Sequence, residues 1–229
     1  MRQSDRKLIR ALPLFCDVSE ANFEQLVRAA FLQRFPQNTA LIKEGDLPDF
    51  LHIVVEGSVE IFCTHYGRET TIDIMRPVTT FILAAVIRDA VYLKSARTLT
   101  PAQILMIPAQ TVRDVFGRDA AFARAIVNEL AERYREVVRS LKNEKLRTSV
   151  QRLANWILQT NRQQGDHQHI ELTLDKRTLA SRLGMTPESL SRNLTLLAKH
   201  GVTSYGRAIV IEDSSALESF ARPNSLIDG

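Results

Sequence analysis

Between Ala123 and Leu141 the apolar residues Ala123, Val127, Leu130, Tyr134, Val137 and Leu141 stand 4, 3, 4, 3 and 4 positions apart, the spacing of an a/d seam along one α-helix. Arg124, Glu129, Glu132, Arg133, Arg135, Glu136 and Arg139 occupy the outward positions. The narrow stripe between charged flanks favours pairing with a second helix, and a homodimer seam of Val127, Leu130, Tyr134, Val137 and Leu141 is expected. A helix packed on its own domain is the simpler alternative. In either case a long helix from about 119 to 146 divides the chain, and whatever precedes and follows it needs a core of its own.

Ahead of the seam the periodicity changes twice. From Arg6 to about Arg34 the pattern reads as two short helices, with Leu8, Leu12, Leu14 and Phe15 before the turn and Phe23, Leu26, Val27 and Ala30 after it. Ser19 is a plausible start for the second. Short β runs then follow at residues 40–43, 50–55, 58–63, 69–75, 92–99 and 102–107, separated by turn signals such as Glu44-Gly-Asp, Glu56-Gly and Tyr66-Gly-Arg. Regularly spaced strands of this kind predict a small antiparallel barrel or jelly roll over residues 1–118.

After the seam, Arg147 to Gln159 is amphipathic, with Val150, Leu153, Trp156 and Ile157 on one side; a polar loop and a short strand at 170–174 follow. The next stretch predicts a helix-turn-helix. Leu179, Ala180 and Leu183 share a face of a first helix, Gly184 sits at the turn, and Leu190, Leu194 and Leu197 line the inner side of a second. Thr186 is placed to cap that second helix and Pro187 to occupy its first turn. Glu188, Ser191 and Arg192 then project together at i, i+3 and i+4. In a major groove Arg can donate twice to guanine, Glu can accept from the cytosine amino group, and Ser can approach thymine. Val202 to Ile211, turning at Gly206-Arg207, reads as the β-hairpin of a wing. Lys176, Arg177, Arg182, Lys199 and Arg207 supply cations for phosphates. A winged helix over 147–229 is therefore expected, reading DNA, with a loose tail from Arg222.

Composition sets outer bounds. A chain of 229 residues, 45% of them apolar, can build two modest cores. The net charge of +4 is compatible with a polyanionic partner but is a small excess. The 2 cysteines, Cys16 and Cys63, give neither a disulfide framework nor metal-ligand spacing, and read as small apolar residues. No apolar run reaches bilayer length, and the polar start of the chain leads into no signal-peptide core, so no membrane partner and a cytoplasmic location are expected. No phosphate loop, zinc helix or nucleophile elbow is present. The pattern is not that of an enzyme.

Taken in order, these features resemble the Crp-Fnr superfamily, that of the cyclic-AMP receptor protein and the fumarate and nitrate reduction regulator, over nearly the whole chain. Leu41-Ile-Lys-Glu-Gly-Asp with Val54-Val-Glu-Gly-Ser-Val-Glu-Ile looks like the family's β-roll signature, with Gly45 and Gly57 at turns. Lys94-Ser-Ala is similar to the segment after the family's phosphate-binding cassette. The resemblance implies an α+β chain: an N-terminal β-roll akin to the cyclic-nucleotide-binding jelly roll, a long dimerisation helix, and a C-terminal winged helix-turn-helix. It implies a homodimeric transcription factor that works with RNA polymerase, its sensor altering the attitude of its DNA-binding domains. Glu188-Ser-Leu-Ser-Arg192 is similar to the recognition helix of the fumarate and nitrate regulator branch, which implies a target like the TTGAT-N4-ATCAA palindrome.

The sensor side departs from both branches. Cyclic-nucleotide binders of the family use a Gly-Glu pair on the ribose and an Arg-Ser pair on the cyclic phosphate. Here Leu83 and Ala84 stand near the first pair and Lys94 replaces the Arg beside Ser95. Cyclic AMP is not the expected effector. A cluster held as in the fumarate and nitrate regulator needs four cysteines, which excludes iron–sulfur sensing of that kind. What remains is an apolar effector pocket around Phe81, Leu83, Ala84, Lys94 and Ser95. Some relatives without either ligand set bind haem, so haem sensing of oxygen or nitric oxide is a candidate, with His65, or else His52, as axial ligand. The alternative class is a small-molecule or cyclic-nucleotide-binding interaction module without a DNA-binding role.

Overall fold

The computed structural model describes residues 3–228, which separate into two compact units dividing between Arg133 and Tyr134. The first unit begins with α1 (Gln3–Arg10) and α2 (Glu20–Ala29) and proceeds through β1 (Phe31–Phe35), β2 (Ala40–Ile42), β3 (Phe50–Glu56), β4 (Val59–His65), β5 (Arg68–Met75) and β6 (Thr79–Phe81). After α3 (Leu83–Arg88) come β7 (Ser95–Thr98), β8 (Ala102–Pro108), α4 (Ala109–Phe116) and the start of α5 (Ala120–Leu146). The strands form two antiparallel sheets, ordered β1-β8-β3-β6 and β2-β7-β4-β5.

Both faces of β3 and β8 are covered, which is why their sequences run apolar without strict alternation. Val54 and Ile104 point into the roll, where they meet Ile42, Val59, Ile61, Met75, Phe81, Tyr92 and Ala96 from the other strands. Leu51, Ile53, Leu105 and Ile107 point the other way and pack on Phe15 of the α1–α2 turn and on Phe23, Leu26, Val112, Phe122 and Ile126 of the helices. At the β3–β4 turn, Gly57 has φ 81, and a Cβ there would collide with the Pro101 carbonyl, so no other residue closes this turn without strain.

The start of α5 is fixed by packing and by charge. The Phe15 and Phe122 rings stack at 6.1 Å. Asp119 accepts the Ala121 and Phe122 N–H groups at 3.0 and 2.9 Å through one carboxylate oxygen, and the Ser19 hydroxyl and Asn22 amide at 2.8 Å through the other. The Phe122 N–H, with Asn22 and Ser19 behind it, holds this carboxyl well below the usual range. One side chain thus caps α5 and ties it to the residue that begins α2.

The second unit contains the rest of α5, then α6 (Ser149–Gln163), β9 (His169–Glu171), α7 (Lys176–Arg182) and α8 (Pro187–Leu197). It closes with β10 (Val202–Tyr205), β11 (Ala208–Ile211), α9 (Ser214–Ala221) and α10 (Ser225–Asp228). Its sheet is ordered β10-β11-β9. The core gathers Leu153 and Ile157 of α6, Leu179 and Ala180 of α7, Leu190, Leu194 and Leu197 of α8, and Val202, Ile209 and Ile211 of the hairpin. The starts of α6, α7, α8 and α9 each carry a side-chain cap. Thr148 and Gln151 form a capping box on α6, and Asp175, Thr186 and Asp213 accept backbone N–H groups at the heads of α7, α8 and α9.

Several sequence expectations are corrected. The second helix does not reach Arg34: it ends at Ala29, and Phe31–Phe35 is an edge strand paired with β8 from Phe31↔Met106 to Phe35↔Ala102. A partner some seventy residues away decides this, and local period does not reveal it. The run at 92–99 is a strand only over Ser95–Thr98, because Tyr92 spends its backbone groups on the turn at Gly45 and Asp46. Thr79–Phe81 and Leu83–Arg88 form a strand and a helix where none was expected. The tail from Arg222 is not loose: Arg147 grips Asp228, and Lys142 and Gln159 donate to the Leu226 and Asp228 carbonyls.

Candidate DNA interface and sensor pocket

The turn before α8 is made as its residues demand. Gly184 has φ 63, a left-handed conformation that glycine adopts without strain. Thr186 accepts the Ser189 N–H at 3.2 Å, and Pro187 opens the helix where its missing donor costs nothing. Leu190, Asn193, Leu194 and Leu197 are buried beneath, so the opposite face of α8 is turned to solvent.

Glu188, Ser191 and Arg192 are exposed together on that face. The Glu188 carboxyl is held below its usual range by its own backbone N–H and the Thr186 hydroxyl, with the Arg192 charge adding to them. It is therefore an ionised acceptor. Arg192 donates to the Ser189 hydroxyl at 3.3 Å, which steadies the guanidinium near the head of the helix. Ser189, whose role the sequence did not single out, links the helix cap to the base-reading candidate through one hydroxyl.

The phosphate candidates are spread around the trio. Lys176 and Arg177 are exposed in the first turn of α7, and Arg182 is partly buried at its end. Lys199 is exposed just beyond α8. Arg207, at the β10–β11 turn, is exposed but donates two hydrogen bonds to the Leu172 carbonyl, at 3.2 and 2.9 Å. Its guanidinium is tied to the chain that follows β9, beside the hairpin turn, instead of swinging free.

Along α5 the stripe is mostly uncovered: Val127 is 56% exposed, Tyr134 70%, Val137 63% and Leu141 54%. Leu130 departs from the others and packs partly against the helical core of the first unit. Nor is Glu129 merely outward, since it accepts from Thr80 of β6 at 2.8 Å and pairs with Arg133.

In the sensor unit the five pocket candidates point in different directions. Phe81 is buried in the roll core and stacks on His52 at 5.2 Å, while Leu83 is buried in the separate helical core. Ala84 is exposed, Lys94 is partly exposed, and the Ser95 hydroxyl accepts the Glu44 N–H at 3.0 Å. Between β6 and α3, Ile82 takes φ 60, a left-handed conformation that a β-branched residue rarely adopts. These residues do not fit a cyclic nucleotide held by a ribose carboxylate, because the turn carries none.

Haem fits no better. His65 lies exposed on the β4–β5 turn against Tyr66, with no apolar enclosure for a macrocycle. His52 is enclosed, but its Nδ1 is 3.1 Å from the Phe50 carbonyl and its ring is covered by Phe81. Burial pushes the His52 imidazole down to about 4, so it is neutral. Cys16 and Cys63 are free thiols, their Sγ atoms near the Pro13 and Leu93 carbonyls. Among the described residues no group of three or more His, Cys, Asp or Glu is placed to hold a metal ion, and no helix is long and apolar enough to cross a membrane.

Comparison with known proteins finds the same order of domains. Residues 32–119 match the cyclic nucleotide-binding domain family, and residues 151–220 match the Crp-like helix-turn-helix domain family. The chain is 26% identical over 216 residues to the cyclic AMP receptor protein of Thermus thermophilus, covering 93% of this chain and 98% of that one. It is 24% identical over 194 residues to a CRP-like cAMP-activated global transcriptional regulator of Mycobacterium tuberculosis, covering 82% and 87%. Among solved structures, FixK2 from Bradyrhizobium japonicum superposes with a TM-score of 0.72 over 86% of this chain and 99% of that chain, at 18% identity, a likeness of fold. The helix-turn-helix match displaces the alternative of an interaction module without a DNA-binding role, and these relatives are regulators, not enzymes. With a cyclic-nucleotide-binding-like roll, a long helix and a Crp-like helix-turn-helix in that order, the chain belongs to the Crp-Fnr superfamily of DNA-binding transcription regulators.

Proposed function

We propose that this regulator acts as a homodimer that reads a TTGAT-N4-ATCAA-like palindrome through Glu188, Ser191 and Arg192 and answers to a signal other than cyclic AMP. The observation that carries the reading is the exposed trio on α8, backed by a fully buried inner face that leaves the helix one way to meet a groove. Arg192 donates twice to guanine, Glu188 accepts from the cytosine amino group, and Ser191 meets thymine, while Lys176, Arg177, Arg182, Lys199 and Arg207 settle the unit on phosphates. Two copies of α8 are needed for a palindrome, and the uncovered Val127, Tyr134, Val137 and Leu141 supply a surface on which two copies of α5 pair. Transcriptional control then runs through contact with RNA polymerase at the bound site, in the cytoplasm.

In the sensor, the left-handed Ile82, the buried Leu83 and the exposed Ala84 leave a nucleotide without its ribose acceptor. Gel shift with the palindrome and with a scrambled duplex at fixed salt tests the DNA reading, and equal retardation of both refutes it. Calorimetry with cyclic AMP tests the sensor reading. No binding heat and no gain in operator affinity are expected, and a saturable isotherm would contradict it. Haem is not part of the proposal, since His65 is exposed and His52 is covered by the Phe81 ring.

A further inference from the structure

The segment after α9 lies beyond the residues matched by the helix-turn-helix family. It contributes nothing to the core: α10 buries no side chain, and Leu226 is 70% exposed. Yet it makes a well-enclosed ion pair. Arg147 meets Asp228 through two parallel bonds of 2.5 and 2.6 Å, with side-chain exposures of only 7% and 11%. Asp228 also accepts the Asn224 N–H at 2.7 Å, and its carbonyl takes the Gln159 amide at 2.8 Å. Arg147 additionally donates to the Asn143 side chain at 3.1 Å, so the pair sits where α5 ends.

A second arginine continues the chain of contacts. Arg152 of α6 donates to the Arg147 carbonyl at 3.1 Å, to the Leu183 carbonyl at 3.0 Å and to the Gly184 carbonyl at 3.2 Å. The last two are the turn between α7 and α8. A planar guanidinium with three donors on three carbonyls fixes their relative positions, as a flexible ammonium does not.

We propose that Asp228, Arg147 and Arg152 form a strut by which the tail sets the turn that presents α8, and that all three are positioning residues for DNA recognition. The proposal rests on the reading of α8 as the DNA-contacting helix. Small displacements of a contact helix cost much affinity, because bidentate base contacts tolerate little misplacement. The tail therefore acts on DNA binding without touching DNA.

The test uses the full chain and its Asp228→Asn, Asp228→Glu, Arg147→Lys and Arg192→Ala variants, with DNA drawn from a randomised duplex pool enriched on the unaltered protein. In the free protein, hydrogen exchange at the Gly184 and Met185 amides should quicken about tenfold in Asp228→Asn while the β10–β11 amides keep their rates. DNA affinity should fall about tenfold with an unchanged salt slope, because no phosphate contact is lost. Asp228→Glu should recover part of both. If Asp228→Asn does not fold, Arg147→Lys, which keeps the charge and loses the fork, should show the same two effects at smaller size. Exchange unchanged at the turn, or quickened equally at the hairpin, overturns the strut. So does unchanged DNA affinity. If Arg192→Ala binds the pool as well as the unaltered protein, the reading of α8 fails instead, and the exchange rates still judge the strut.

Discussion

Two residues carry sharp expectations. Arg192→Ala removes the bidentate donor from α8 and should cost about 1–3 kcal/mol of operator binding and relax base preference at one position in each half-site. Anisotropy with point-substituted duplexes checks this, and unchanged affinity with unchanged base preference would contradict it. His52 is the other. Its folded value of about 4 lies below the ordinary 6.5. The unfolded chain therefore takes the proton first, and stability falls as pH drops from about 6.5 through about 4, with no further loss from this group below. His52→Leu should flatten denaturation midpoints across that window, and an unchanged slope would show that another group titrates there. The local chemistry of Gly184, Thr186 and Pro187 was legible because each acts within its own turn. Arg152 gave no signal, since one arginine on a polar stretch of α6 does not disclose that its three acceptors lie at residues 147, 183 and 184.

At the level of elements, α5 was legible because its 3.5-residue spacing is a property of the helix itself. What the spacing did not disclose was that Leu130 turns partly into the helical core, so one position of the stripe is spent within the first unit. Val137 stands clear of that core, 63% exposed. Val137→Asp should therefore shift sedimentation toward monomer while leaving the far-ultraviolet circular dichroism unchanged, because an unpaired carboxylate would be buried only in the paired state. A variant that remains dimeric would place the interface elsewhere. The β strands were legible where turn signals bracket them, as at Gly57, and illegible where pairing decides. Phe31–Phe35 could continue a helix on local grounds and becomes a strand only because β8 offers it an edge. Phe81 and Leu83 read as lining one pocket, yet they enter different cores; neighbouring residues across a strand-to-helix turn need not share the same surroundings.

For the molecule as a whole, the order of roll, long helix and helix-turn-helix was visible in the changes of period along the chain. The signal the sensor answers to was not, because a ligand site is defined by side chains that several elements bring together. The same holds for the tail, whose grip on Arg147 spans 81 residues of sequence. The central claim is that the paired chain reads a palindrome through α8. It is tested most directly by measuring the binding of purified protein to a TTGAT-N4-ATCAA duplex and to a scrambled duplex of equal composition, at about 0.15 M salt. One dimer per palindrome is expected, with a preference of about a thousandfold or more over the scrambled duplex. Equal affinity for the two, with the same steep salt dependence, would contradict it and leave only phosphate binding.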